Sequence, residues 1–205
     1  MSNLITQNEI VSDDWTLVTL PKVDQEVRKQ AGKVVLFKLT GENTISAEQI
    51  ANTQIPATGK ILVPLSVYLA RKSELATRIA KQEVGIWLAT HEVLESLPNA
   101  EPDLNIFPLI AVYVERFADG RIFSIGNLLR TRYGFNHTLR AFGDVLRDQL
   151  FFLKRSGFDS YLIRADRSAQ EALQSLKDFS QPYQGAVDDK QPVWRRLNRS
   201  QNNVA

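Results

Sequence analysis

The chain has 205 residues, 43% of them hydrophobic, a net charge of +2 and no cysteine. That length supports one domain with a sizeable core, and 18 Pro plus Gly residues are too few for a disordered or fibrous protein. Without cysteine, disulfides, thiolate-held zinc or iron–sulfur centres and thiol nucleophiles are excluded within the chain.

The stretch Met1 to Glu9 lacks the basic start and apolar core of a signal peptide. The longest apolar run, Ile61 to Ala70, contains Pro64 and falls well short of the roughly 20 residues that span a membrane. A cytoplasmic protein is expected. Residues 1–60 read as an N-terminal extension packing on the core. Trp15 to Leu20 and Val34 to Leu39 have strand character, and Ser46 to Gln49 has the spacing of a capping box.

From Lys60 strands and helices alternate. Ile61 to Leu65 is a short apolar strand, and Ser66 is placed to cap a helix with Tyr68, Leu75 and Ile79 on one side. Val84 to Ala89 is the next strand, with Thr90 as cap for a helix from His91 to Leu97. Leu109 to Val114 is the third strand, and Asp119-Gly120-Arg121 opens a helix that Gly134 ends. Leu139 to Phe142 is the fourth strand. Asp144 has the chemistry of an N-cap for a helix from Val145 to Ser156, with Gly157 at its C′ position. Phe158 to Arg164 is the fifth strand, and Ser168 to Glu171 opens a last helix running to Phe179. The pattern predicts an α/β core domain over 61–185, built on a mainly parallel sheet of about five or six strands with flanking helices. An open sheet or incomplete barrel fits better than a closed barrel. Residues 186–205 read as a basic, partly disordered tail with Trp194 as anchor.

Charge is unevenly placed. Residues 116–167 hold nine Arg and one Lys against five Asp, whereas residues 1–115 hold ten Lys/Arg against fourteen Asp/Glu. Arginine suits bidentate recognition of carboxylates and oxyanions. The turns at Asp119-Gly120-Arg121 and Gly143-Asp144 fall at strand C-terminal ends, where parallel α/β folds bind ligands. The candidate anion- or partner-binding set is therefore Asp119, Gly120, Arg121, Ser124, Arg130, Arg140, Gly143, Asp144, Asp148 and Gln149. Two alternatives stand for the turns: helix N-termini that bind an anion, or N-termini capped by Asp119 and Asp144 themselves. Asp144 and Asp148, four apart on a helix, would share a face for acid–base work or be neutralised by Arg140 and Arg147.

The other chemistries find little support. The two histidines, His91 and His137, have no second metal ligand at zinc spacing, and no dinucleotide or phosphate-loop pattern occurs. No motif supports NAD, iron–sulfur or zinc, so any cofactor is unknown; a noncovalent flavin needs no motif. Aromatics beside the arginines are needed for the core, and the overall charge is near neutral, which argues against nucleic acid.

The stretches Phe117 to Ser124, Leu129 to Gly134, Leu139 to Leu150 and Gly157 to Asp159, with Asp13-Asp14-Trp15, Val63-Pro64-Leu65 and Tyr183-Gln184, resemble a bacterial family of unknown function. Its members are labelled probable oxidoreductases of sulfite reduction and are encoded beside assimilatory sulfite reductase. The chain departs from the family pattern at Arg116, where a proline is usual, at His137-Thr138, where Gly-Glu is usual, and in a longer stretch from Pro21 to Lys60. The resemblance implies a role in assimilatory sulfate or sulfite reduction. Two readings follow: an accessory protein that binds sulfite reductase or its electron donor, or an oxidoreductase or anion-binding enzyme of that pathway holding a noncovalent cofactor. A small-molecule-sensing α/β module is the third.

Overall fold

In a computed structural model, which describes residues 3–21 and 45–196, eight strands form one sheet. They are β1 (Leu4–Thr6), β2 (Glu9–Val11), β3 (Trp15–Leu17), β4 (Lys60–Pro64), β5 (Val84–Ala89), β6 (Leu109–Val114), β7 (Thr138–Gly143) and β8 (Ser160–Leu162). The helices are α1 (Ala47–Ala51), α2 (Leu65–Ala80), α3 (Ser96–Ala100), α4 (Arg121–Thr131), α5 (Leu150–Arg155), α6 (Ala169–Ser175) and α7 (Val193–Arg196). The expected strand Val34 to Leu39 lies outside the described residues.

The sheet order is β2-β1-β8-β7-β6-β5-β4-β3. From β3 to β8 neighbouring strands are parallel and follow chain order, while β1 pairs antiparallel with both β8 and β2. Sequential parallel strands with right-handed crossovers place successive helices on one face. The result is a curled half-barrel rather than a flat sheet. The strand count exceeds the expected five or six because β1 and β2 are only three residues each, too short for alternation to register. Their turn is made by Gln7 and Asn8, both with positive φ, at 51° and 66°, a conformation that matches the twist of a two-residue hairpin.

Side chains alternate across this sheet. Ile86, Leu88, Ile110, Val112, Leu139, Ala141 and Tyr161 face the helices and join Tyr68, Leu75, Ile122 and Leu129 in the main core. The concave face is a second, smaller cluster in which Leu62, Leu109, Ala111 and Phe142 are buried and Trp15, Trp87, Tyr113 and Leu162 pack on them. Trp87, Tyr113 and Phe142 contact one another with centroids 5.2–6.0 Å apart, and the Trp87 indole N–H donates to Val18 O at 2.9 Å.

Several expected helix boundaries move, each for a visible reason. Ser66 does not cap α2: the strand turns directly into the helix, with Pro64 (φ −58°, ψ 142°) at the cap position. The helix from His91 to Leu97 is a turn followed by α3, because the Thr90 hydroxyl bonds elsewhere. Asp144 caps no helix. Leu146 is extended (φ −116°, ψ 160°), and a 3-10 turn over Arg147–Gln149 leads into α5. The helix expected from Ser168 to Phe179, α6, stops at Ser175. The Ser46 capping box forms, with Ser46 Oγ accepting from Gln49 N and Gln49 Oε1 from Ser46 N. Gly157 sits where expected beyond α5, with φ 103°.

The curl has a specific tie. Only Ser12, Asp13 and Asp14 separate β2 from β3, the two edges of the sheet. Flat, eight strands would hold those edges about 33 Å apart, whereas the connection reaches about 14 Å at full extension. Asp13 anchors this strap by accepting from Arg140 Nη1 at 3.1 and 2.9 Å, and Arg140 Nε donates to Ser160 Oγ at 3.2 Å. The Arg140 side chain is 6% exposed, so removing its partner strands a buried charge. Asp14 instead pairs with Lys60 at the surface, at 2.6 Å, where ion pairs contribute little. Asp13→Ala is expected to destabilise the protein by about 3 kcal/mol and Asp14→Ala by under about 1 kcal/mol in urea unfolding. Equal losses would show that the strap carries no special constraint.

Candidate functional site

The strand C-terminal edge is built from four connections that interlock. After β5, the Thr90 hydroxyl donates to Asp119 Oδ2 at 2.5 Å. Asp119 also accepts from the Arg121 amide at 3.1 Å and from its guanidinium at 2.9 and 2.7 Å. The Arg121 guanidinium, then the Thr90 hydroxyl and the Arg121 amide, hold the Asp119 carboxyl well below the usual carboxylate range. Asp119 therefore takes the first amide of α4 itself, and Gly120 is the backbone link between them.

The second cluster centres on Asp144. Gly143 has φ 101°, and a Cβ there would stand 2.3 Å from Val114 O, so only glycine fits. This turn sends the Asp144 amide to Val114 O at 2.8 Å. The Asp144 carboxylate then accepts from Arg164 at 2.7 Å and from the Phe117 amide at 2.9 Å. Gln149, almost fully buried, completes the clamp, since its Nε2 donates to Phe117 O at 2.9 Å while its Oε1 accepts from Leu146 N at 3.2 Å. The β6–α4 loop is thus held at both polar groups of the Phe117 residue and at Asp119. Its residues 115–118 remain exposed, and the Phe117 ring is 42% exposed.

The other expected site residues lie apart from this edge. Ser124 lines a cavity of about 710 Å³ between α4 and α5, together with Phe123, Asn127, Leu128 and Phe152. Arg130 reaches the opposite edge of the sheet, where it pairs with Asp159 at 2.9 Å and donates to the carbonyls of Phe135, His137 and Gly157. Its bonds staple α4 to the starts of β7 and β8. Arg140 lies on the concave face in the pair with Asp13, so it adds no charge to the Asp119 or Asp144 turns. Asp148 is exposed and lines a 310 Å³ cavity with Arg147, Arg167 and Ser168. It does not share a helix face with Asp144, because Val145 and Leu146 are not helical.

Other polar groups at the edge carry no sequence pattern. Ser66 Oγ and His91 Nδ1 are buried without a hydrogen-bond partner among the described residues, just beyond the neighbouring strands β4 and β5. Glu92 accepts from the Ala89 amide at 2.7 Å, and burial pushes its carboxyl above the usual range. Burial likewise raises Tyr113, with Glu115 and Asp144 adding to the shift. Among the described residues no group of three His, Cys, Asp or Glu side chains could hold a metal. No helix there is long and apolar enough to cross a membrane.

Residues 85–194, from the second residue of β5 into α7, match the family described as "Bacterial protein of unknown function (DUF934)". The chain belongs to this family. The match contains the whole Asp119–Asp144 edge and leaves out β1 to β4. No curated protein and no solved structure matches the chain.

Two outcomes test the edge. A carboxylate with a depressed pKa stabilises the fold above its unfolded pKa, and that contribution fades as pH falls towards the folded value. Asp119→Asn is therefore expected to lose about 2 kcal/mol at pH 7, with the gap to wild type closing below about pH 4; a constant gap would contradict the ion pair. Gly143→Ala is expected to lower Tm by about 10 °C by scanning calorimetry, since both φ and the Val114 carbonyl oppose a side chain.

Proposed function

We propose that this protein is an accessory component of assimilatory sulfite reduction that docks on sulfite reductase or its electron donor through the β6–α4 loop. The observation that carries the docking surface is the clamp on Phe117. Asp119, Asp144 and Gln149 are all occupied in holding the loop, leaving Arg116 and Phe117 facing outwards. Arginine and aromatic residues dominate binding energy at protein interfaces, and a loop ordered in advance binds at lower entropic cost. Carboxylates fully engaged by guanidinium and amide groups are poorly placed to move protons, which favours docking over chemistry at these turns. Arg116 makes no ion pair among the described residues, so its charge is available to an acidic partner. The pathway itself rests on the motif resemblance from Phe117 to Asp159.

A second reading, an anion-binding enzyme or an oxidoreductase with a noncovalent cofactor, draws on Ser66 Oγ and His91 Nδ1. Buried polar atoms without partners are rare in folded proteins, and two of them beyond adjacent strand ends suit a ligand.

The readings separate by experiment. In biolayer interferometry against purified sulfite reductase and a ferredoxin-type carrier, Arg116→Glu and Phe117→Ala should each weaken binding to one of them by about tenfold or more. Ser66→Ala with His91→Ala should leave that binding unchanged. Absence of binding by the unaltered protein to either partner, with absorbance above about 350 nm in the purified protein from a bound cofactor, would replace docking with the enzymatic reading.

A further inference from the structure

A second apolar surface lies away from the strand-end turns. The cavity of about 710 Å³ between α4 and α5 is an open groove with Phe123, Leu128 and Phe152 as apolar walls and Gly185 and Ala186 at one rim. Its charged wall residue, Arg155, is already engaged, pairing with Asp188 at 3.3 Å and donating to Gln184 O. Those bonds, with Val187 N donating to Arg155 O at 3.0 Å, fasten the segment after α6 to the end of α5. That segment presents two rings just past the rim. Tyr183 and Trp194 stack with centroids 5.3 Å apart, Val193 N donates to Tyr183 O at 3.0 Å, and both rings are half-exposed or more. Phe152 and Phe179 are exposed to a similar degree, and each packs on Phe151, at 5.4 and 4.8 Å.

Phe152 shares the groove with Gly185 and Ala186, so the two ring pairs border one patch. At half exposure, four aromatic side chains leave about 400 Å² of apolar surface in water. Monomeric proteins rarely leave a contiguous apolar patch of that order uncovered. Two features select a second copy of this chain as the cover. The face is close to neutral: residues 151–156 and 177–190 hold four Lys/Arg against three Asp, and the exposed Ser124, Asn127 and Thr131 of α4 carry no charge. A two-fold contact sets a face against itself, so a strong charge of either sign would repel. The face also carries both halves of a fit, a projecting ring pair beside an apolar groove, as a self-complementary interface requires. We infer that the chain forms a two-fold dimer in which Tyr183 and Trp194 of each copy enter the α4–α5 groove of the other. The exposed rings supply about half of the roughly 800 Å² per partner of a stable interface, and the groove walls and polar rim supply the rest. Residues 115–120 do not line the groove, so the dimer does not rest on the docking proposal.

The test is sedimentation velocity of the full chain over about 1–100 µM, where a monomer–dimer equilibrium with a Kd of about 10 µM or tighter is expected. Phe152→Asp in the groove and Trp194→Ala in the ring pair should each raise that Kd at least about thirtyfold. Phe117→Ala, on the docking loop, should leave it within about twofold. Circular dichroism checks that each variant folds; should one fail, the other decides. An equimolar mixture of the two groove-face variants keeps one intact ring pair and one intact groove, so it should dimerise more strongly than either alone. A monomer across the whole range overturns the proposal, as does a dimer that both substitutions leave intact or a mixture no stronger than its components. A monomer whose Phe152→Asp variant loses affinity for sulfite reductase or the ferredoxin-type carrier would assign the face to a different protein instead.

Discussion

The strap Ser12–Asp14 and the ion pair it carries decide the shape of this molecule. Three residues cannot join the two edges of an eight-stranded sheet unless the sheet bends back on itself. Asp13 converts that covalent limit into an internal bond by reaching Arg140 in the middle of the sheet. The bond is short and largely out of water, so neither charge can leave without stranding the other. Everything on the concave side, from the Trp87–Tyr113–Phe142 contacts to a small cavity beside Thr138, exists because the sheet is curled around this pair.

The curl also divides the arginines into two groups. Arg121, Arg130, Arg140, Arg155 and Arg164 each meet an aspartate within 3.3 Å. A segment that reads as a basic surface is therefore in large part a set of clasps, each fastening a loop to a strand end or a helix. Arg116 stands outside this arrangement on the loop that Asp144 and Gln149 hold still. Rigidity beneath and exposure above suit the docking surface proposed for this loop.

Local chemistry predicted well where it was self-contained. The ranges of β5 and β6 follow from apolar, β-branched runs buried on both faces of the sheet. The Ser46 capping box and Gly157 beyond α5 need only neighbours a few residues away. Asp144 shows the limit of such reasoning. By type and position it is a good N-cap, yet its carboxylate is taken by Arg164, 20 residues on, and by the amide of Phe117, 27 residues back. Thr90 behaves likewise, exchanging a cap for Asp119. In both cases a distant partner brought close by the sheet outcompetes a bond within the local segment. Arg140 is the same lesson at longer range, since Asp13 lies 127 residues away.

The sequence by itself determined the α/β class, a mainly parallel sheet and the two turns at strand C-terminal ends, because periodicity, Gly and capping residues act over a few positions. It also determined, through the absence of cysteine, which redox centres the chain cannot hold. The tertiary structure alone decided that β1, β2 and β3 complete the sheet at both edges. It alone assigned each aspartate to its arginine. Those outcomes depend on which residues the curl brings within a few ångströms, and charge pairing over such distances leaves no periodic trace along the chain.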